Sequence, residues 1–303
     1  MAEHTRVDEF LTSLIAICKP LDSFEMPLLD AHGATLSQDV FAGERLVMKA
    51  GSRIRSTQIG LAASIGLDHL PTRPHPRVVV MSAGPDLVEP GKTLKDDEEF
   101  ETNSWMLTTA VREVGAVAYR VHSIPDDEAQ LQNLIEDQLV RADLIIISGE
   151  RHDDSFDLIT RTISNMGEIT TVDMAIEMSG RHNFGLIGPD KTPIITLPGD
   201  PIAAYISFEL FVRPMIRTML GAATIHRPSV KSKLEKAIES SDGVRSYIRA
   251  AISEDGKSVT PLTHQEEIST LSDASAFIAV GEKDVNLKAG DEVTVVVLER
   301  RYI

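Results

Sequence analysis

Cysteine is almost absent from this chain. Cys18 is the only one, so no intrachain disulfide can form, and a reducing compartment, the cytoplasm, is expected. Basic residues are scarce beside acidic ones: 30 Lys and Arg stand against 46 Asp and Glu, for a formal charge of −16 at pH 7. Duplex binding needs a basic face that releases counterions, so nucleic acid is excluded as a partner, while a small anion held by local groups is not. Long apolar runs are missing too. A run such as Leu144 to Ile147 is far too short to span a membrane, and the polar opening residues Met1 to Asp8 carry no signal core. There is no Cys/His spacing for zinc and no Walker-type phosphate loop. Aromatic residues make up 5 %, with a single Trp, Trp105, expected in the core of its helix.

What is present is ordinary globular material: 303 residues, 42 % hydrophobic and 25 % charged, enough for two or three domains. Residues 1–73 read as a small α+β segment, with helical spacing over 7–17, extended pieces at 26–30 and 36–42, and a helix over 56–65 capped by Ser56 or Thr57. The prolines of 71–76 read as a stiff linker, which puts a domain boundary there.

Residues 74–222 alternate between strands and helices. Strands are expected at 77–82, 117–124, 143–148 and 168–172, and a hairpin joins 185–187 to 193–196. Helices are expected at 102–114, 125–141 (with Asp126 as cap), 155–166 and, as one long element, 201–220. The pattern is that of an α/β domain with a doubly wound, mostly parallel sheet. The Leu and Ile run before Ser148 suits a central strand covered on both faces. Residues 223–303 turn β-rich and read as a small antiparallel barrel or sandwich.

Ligands of open parallel sheets bind beyond the carboxyl ends of the strands, which draws attention to 83–86, 149–154, 179–183 and 198–201. In Leu197-Pro198-Gly199-Asp200-Pro201 a strand meets a tight turn, with Pro201 at the first helical position. Such a turn offers backbone amides to an anion such as phosphate. Gly149 either lets the backbone approach a ligand or makes a plain turn. Glu150, Asp153, Asp154 and Asp157 form either a Mg²⁺-holding cluster or a solvated acidic loop that caps the next helix. Arg151 and Arg181 are phosphate ligands or surface ion-pair partners. His152 and His182 are the candidate general bases, with no Cys or Ser partner identifiable for either.

Taken in order, these segments resemble the molybdopterin molybdotransferase family, which includes MoeA and the E domain of gephyrin. The resemblance is carried by Leu29-Asp30-Ala31-His32-Gly33 with Gln38-Asp39-Val40, by Ala50 to Ile54 with Ile59 to Ala63, and by Met81 to Leu87 followed by Pro90-Gly91 and Thr102-Asn103-Ser104. It continues through Asp143 to Gly149 with Phe156-Asp157, Leu197 to Pro201, Phe211 to Pro214, Arg249-Ala250 and Ala289-Gly290-Asp291. It implies a MogA-like molybdopterin-binding domain at 74–222 and a C-terminal β-barrel domain. The implied activity is insertion of molybdate into adenylylated molybdopterin with release of AMP, in a homodimer. Carried over residue by residue, the ligand contacts are Ser148, Gly149, Gly180, Arg181, Pro198, Gly199 and Pro201. Asp157 and Asp86 are the implied Mg²⁺ ligands and, with Asp200, the implied catalytic carboxylates.

The chain also departs from that family. A long block is absent between Ala42 and Gly43. Pro85 and Asp86 replace the Asp and Glu of a Gly-Asp-Glu-Leu segment, Glu150, Arg151 and His152 replace a small-residue loop, Arg181 stands for a Lys, and Ala203 for a Ser. Two readings follow: a working molybdate-inserting enzyme, or a catalytically inactive member acting as a scaffold or regulatory binding protein for a protein partner. Hydrolysis of a phosphoester by loop 150–157 is a third.

Overall fold

The computed structural model describes residues 5–84, 86–96, 98–124, 127–149, 153–177, 180–262 and 268–299. Pro85, Asp126, Glu150, Arg151, His152 and Ser179 lie outside the described residues, as do the side chains of Asp153 and Asp154.

Helix α1 (Val7–Ile17) buries Val7, Phe10 and Leu14, one stripe of its surface. That stripe packs not on its sequence neighbours but into the core of the central sheet, with Val78, Val80, Leu107 and Phe211. The N-terminal segment proper holds β1 (Phe24–Pro27), β2 (Thr35–Leu36), β3 (Val40–Ala42), β4 (Arg45–Met48), α2 (Ser56–Ser64) and β5 (His69–Arg73). Its sheet runs β1-β5-β2, with β5 in the middle. The expected 71–76 linker therefore shrinks to 74–76. Pro71 sits within β5 because its carbonyl accepts the Ser37 N–H at 2.9 Å while no N–H is needed from it, and its neighbours Leu70 and Thr72 are buried. The cap of α2 also differs from expectation: the helix is entered at Arg55, whose N–H donates to the Gln58 side chain at 3.3 Å.

The central unit comprises β6 (Arg77–Ala83), β7 (Leu87–Val88), β8 (Glu99–Phe100), α3 (Asn103–Val114), β9 (Val117–Ile124), α4 (Glu128–Leu139), β10 (Leu144–Ser148), α5 (Asp153–Ser164), β11 (Gly167–Asp173), β12 (Arg181–Ile187) and β13 (Thr192–Leu197). Six strands form one sheet in the order β11-β12-β13-β10-β6-β9. The last four are mutually parallel, and β12 and β11 add antiparallel at one edge. Val78 to Met81 and Leu144 to Ile147 are fully buried, as strands covered on both faces must be. One face packs against α1, α3 and the helices after β13; the other packs against α4 and α5.

The expected long helix over 201–220 forms as one uninterrupted helical run, α6 (Pro201–Ser207), a π turn over Phe208–Val212, and α7 (Arg213–Met219). Pro214 explains the π turn. It has no N–H for the carbonyl one turn back, and its ring presses on that carbonyl, which the wider π turn relieves. The π turn aims Glu209 inward, where it is buried and ion-paired with Arg227 at 2.7 Å.

The C-terminal unit contains β14 (Ser229–Leu234), β15 (Ile238–Glu239), β16 (Ser246–Ile252), β17 (Ser258–Pro261), α8 (Ser269–Asp273), β18 (Ala276–Val280), β19 (Asn286–Leu287) and β20 (Glu292–Val297). A closed barrel, β14-β17-β16-β18-β20, resolves the barrel-or-sandwich alternative. Closure leaves no free sheet edge. Its core includes Ile248, Ala250, Ile278 and Val295. Outside that core, Phe277 packs on Ile202 and Ile206 of α6, which seats the barrel beside the carboxyl edge of the sheet.

Candidate functional site

Strands β6, β10 and β13 run parallel and end at Ala83, Ser148 and Leu197, so the loops after them share one edge of the sheet. β12 enters the sheet at that same edge through Arg181. Gly149 and Gly199 lie on the same side of the molecule, since the Gly149 N–H donates to the Leu197 carbonyl at 3.1 Å. That bond uses the Gly149 amide. What Gly149 contributes is room: a Cβ placed on it would meet nothing closer than 3.9 Å.

The crest is tied together by a side chain that the sequence marks only within the Thr102-Asn103-Ser104 segment. Asn103, at the start of α3, donates its Nδ2 to Ser148 Oγ at 2.8 Å and to the Gly199 carbonyl at 2.7 Å. Ser148 Oγ in turn donates to the Pro198 carbonyl at 3.1 Å. Ser148 is fully buried, so it acts as a structural tie between the two loops. Asn103 is 7 % exposed, and its Oδ1 is buried without a hydrogen-bond partner among the described residues. An orphaned buried acceptor is uncommon and asks for a donor.

At the start of α6 the amides expected to face an anion are already satisfied. Asp200 is the N-cap, and its Oδ1 accepts from the N–H groups of Ile202 and Ala203 at 3.0 and 2.9 Å. Pro201 follows at the first helical position, as expected. Arg249, from β16 of the barrel, brings a cation to this point. It is 4 % exposed; burial pulls its guanidinium below the usual range, and the charge of Asp200 opposes that pull.

Arg181 and Asp157 come together across the crest. Arg181 Nη1 lies 3.6 Å from Asp157 Oδ1, and the guanidinium stacks on the Phe156 ring at 4.4 Å from its centroid. The preceding Gly180 takes a left-handed φ of +62°, which favours glycine, and a Cβ there would meet nothing within 4 Å. His182 is not at a reactive position. It is wedged between Phe10 and Phe211, its Nδ1 lies 2.8 Å from the Thr196 carbonyl, and burial pushes its pKa down to about 4. It stays neutral and serves as core.

A buried carboxylate that sequence reasoning missed lies beside the end of β6. Glu101 is 3 % exposed. Its Oε1 accepts from Ser82 Oγ at 2.8 Å and from the Ser104 N–H at 2.7 Å, and its Oε2 from Ser104 Oγ at 2.5 Å. This carboxylate satisfies a helix-start amide of α3 in place of Thr102, which makes no capping bond. Arg120 Nη1 sits 3.5 Å from Glu101 and 2.7 Å from Glu89 Oε1, with its guanidinium 4.1 Å over the Trp105 ring. Trp105 is therefore not core; it is 48 % exposed and supports Arg120.

Comparison with known proteins settles what this scaffold is. Residues 80–218 match the model of a probable molybdopterin binding domain, and residues 231–298 match that of the MoeA C-terminal region, domain IV. The chain is 32 % identical over 274 residues to molybdopterin molybdenumtransferase 2 of Mycobacterium tuberculosis, covering 87 % of this chain and 66 % of that protein. It is 29 % identical over 277 residues to molybdopterin molybdenumtransferase 1 of the same organism, covering 88 % and 65 %. This chain belongs to the MoeA family. Its fold is that of the MoeA protein from Pyrococcus horikoshii, with a TM-score of 0.83 at 18 % identity over 98 % of this chain and 100 % of that one.

The chain thus spans just under two thirds of the length of these curated MoeA-family relatives. At the point where the sequence places the absent block, β3 and β4 join directly. Ala42 pairs with Arg45 across a two-residue turn, and Gly43 supplies the positive φ of +63° that such a turn needs.

The Mg²⁺ expected of a MoeA relative finds a poor set of donors here. Mg²⁺ wants open carboxylate oxygens at near-octahedral positions. Among the described residues no group of three or more His, Cys, Asp or Glu side chains is arranged to hold a metal. Asp200 faces its own helix, Asp157 faces Arg181, and Glu101 is saturated by hydroxyl, amide and guanidinium donors. Asp86 is exposed at the edge. The described residues do not fit the ion.

Proposed function

We propose that this chain serves molybdenum cofactor biosynthesis by holding molybdopterin, or its adenylylated form, along the crest formed by Asn103, Ser148, Gly149, Gly180, Arg181 and Gly199. The observation that carries this reading is the Asn103 tie. One buried amide holds two ligand loops in register and leaves its Oδ1 as a buried acceptor without a partner among the described residues. A pterin ring carries N–H donors suited to that acceptor. Its phosphate suits Arg181, which a dianion draws from Asp157 more strongly than a carboxylate at 3.6 Å retains it. Gly149 and Gly180 leave room for the ligand to lie against the backbone. We place the protein in the cytoplasm as a homodimer, the assembly implied by its family.

Two chemistries are compatible with such a ligand. Similarity to molybdopterin molybdenumtransferases over 87–88 % of the chain favours molybdate, as substrate, being inserted with AMP release. The committed crest carboxylates favour an inactive binding or scaffold role. Incubation with adenylylated molybdopterin and molybdate separates them. AMP release above the rate of a protein-free control supports the transferase, and retained but unreacted ligand supports the scaffold. Ligand that does not bind folded protein refutes both.

A further inference from the structure

The crest carries a cation of its own. Glu89 and Glu101 converge on one guanidinium, that of Arg120, which reaches up from edge strand β9 at a position paired with Val80 of β6. Two carboxylates removed from water need compensating charge, and a buried carboxylate left alone is strongly destabilising. In many sites a divalent ion supplies that charge through oxygens at short range. Here the guanidinium supplies it instead. Glu101 makes its remaining bonds to Ser82 and Ser104, and Trp105 covers one face of the guanidinium.

We infer that the Arg120 guanidinium supplies, between Glu89 and Glu101, the positive charge that a divalent cation supplies in other carboxylate clusters, so that this chain needs no metal ion there to set the crest that receives its anionic ligand. The ligand half of this statement rests on the molybdopterin reading above; the metal half does not. Arg120 is a positioning residue: it fixes Glu101, and Glu101 fixes the first turn of α3, where Asn103 sits. An Arg keeps its charge at every relevant pH and its fork is rigid. The crest is then set in shape before any ligand arrives, and ligand affinity does not follow the concentration of free Mg²⁺.

The test uses the full chain and Mn²⁺ as the probe, read by electron paramagnetic resonance of the free ion. Wild type is expected to take up no Mn²⁺ that the Glu101→Gln variant fails to take up. Arg120→Ser, and separately Arg120→Met, which keeps apolar cover on Trp105, are expected to bind Mn²⁺ at least on the order of tenfold more tightly than wild type. Adding Glu101→Gln to either variant should abolish the gain. Circular dichroism identifies a variant that does not fold, and Mn²⁺ should restore it, because the ion replaces the lost charge. Wild-type Mn²⁺ binding that depends on Glu101, or no gain in either folded Arg120 variant, overturns the inference. In parallel, molybdopterin is titrated into wild type with EDTA and with Mg²⁺. Equal affinity within about twofold, roughly 0.4 kcal/mol, is expected, and affinity that appears only with Mg²⁺ overturns the inference. Binding in neither condition overturns the molybdopterin reading, while the Mn²⁺ arm still decides the role of Arg120.

Discussion

Asn103 Nδ2 donates to the carbonyl of Gly199 at 2.7 Å across 96 residues of chain. Because the same nitrogen also reaches Ser148 Oγ, the first residue of α3 sets the spacing between the loops after β10 and β13. Asn103→Ala removes both bonds and leaves the part-buried Gly199 carbonyl without this donor. The expected cost is about 2 kcal/mol in urea denaturation. Asn103→Asp should be worse than Ala, since it turns an acceptor toward the Gly199 carbonyl.

Glu209 joins the π turn to the barrel. Its two oxygens bind Arg227 Nη2 and Nε at 2.7 and 2.8 Å, and Arg227 Nη1 donates to the Leu298 carbonyl at 2.7 Å. Glu209→Ala leaves a half-buried guanidinium uncompensated and should destabilise the protein by about 3 kcal/mol. Limited proteolysis should then cut first in the C-terminal unit, and the effect should persist in high salt because the pair is shielded from solvent.

His182 predicts an acid-sensitive stability. Its folded pKa is pushed down to about 4 from the ordinary imidazole value of 6.5, mainly by burial. Between those values the unfolded chain binds more protons, so stability is fully present above about pH 6.5 and is lost as pH falls toward 4. The loss should amount to about 3 kcal/mol. His182→Gln, which can still donate to the Thr196 carbonyl, should show a flatter profile in urea melts at pH 4.5 and 7.

Close packing at the antiparallel edge gives a steric test. A Cβ on Gly185 would lie 1.9 Å from the Glu168 carbonyl oxygen on the paired strand. Gly185→Ala should separate β11 from β12 and cost about 3 kcal/mol. Hydrogen exchange should report the loss of protection along Gly167–Asp173.

Much of this architecture was legible in the sequence because periodicity and turn chemistry dominate there. The Val and Ile runs of β6 and β10, the turn at Pro198-Gly199 and the β-rich tail all form as their patterns imply. The departures have tertiary causes. Pro71 reads as a breaker in isolation, yet a strand that needs only its carbonyl accommodates it. Pro214 widens the helix into a π turn, a response that helical spacing does not encode. At the crest, the sequence marks Ser148, Arg181 and Asp200 as candidates, and all three lie at the carboxyl edge of the sheet. It does not reveal that Asp200 turns back onto its own helix or that Ser148 is sealed beneath the loops. Glu101 and Arg120 escaped notice because their partnership spans separate elements; the one local hint was an acidic residue three before Ser104, the spacing of a helix-start carboxylate.

The most direct test of the account is calorimetric titration of molybdopterin into the wild-type chain and into Asn103→Ala, both verified as folded. The account predicts saturable one-site binding to wild type and an affinity about tenfold lower, roughly 1.4 kcal/mol, in the variant. A flat titration of folded wild-type protein, or equal affinity in the two proteins, would contradict it.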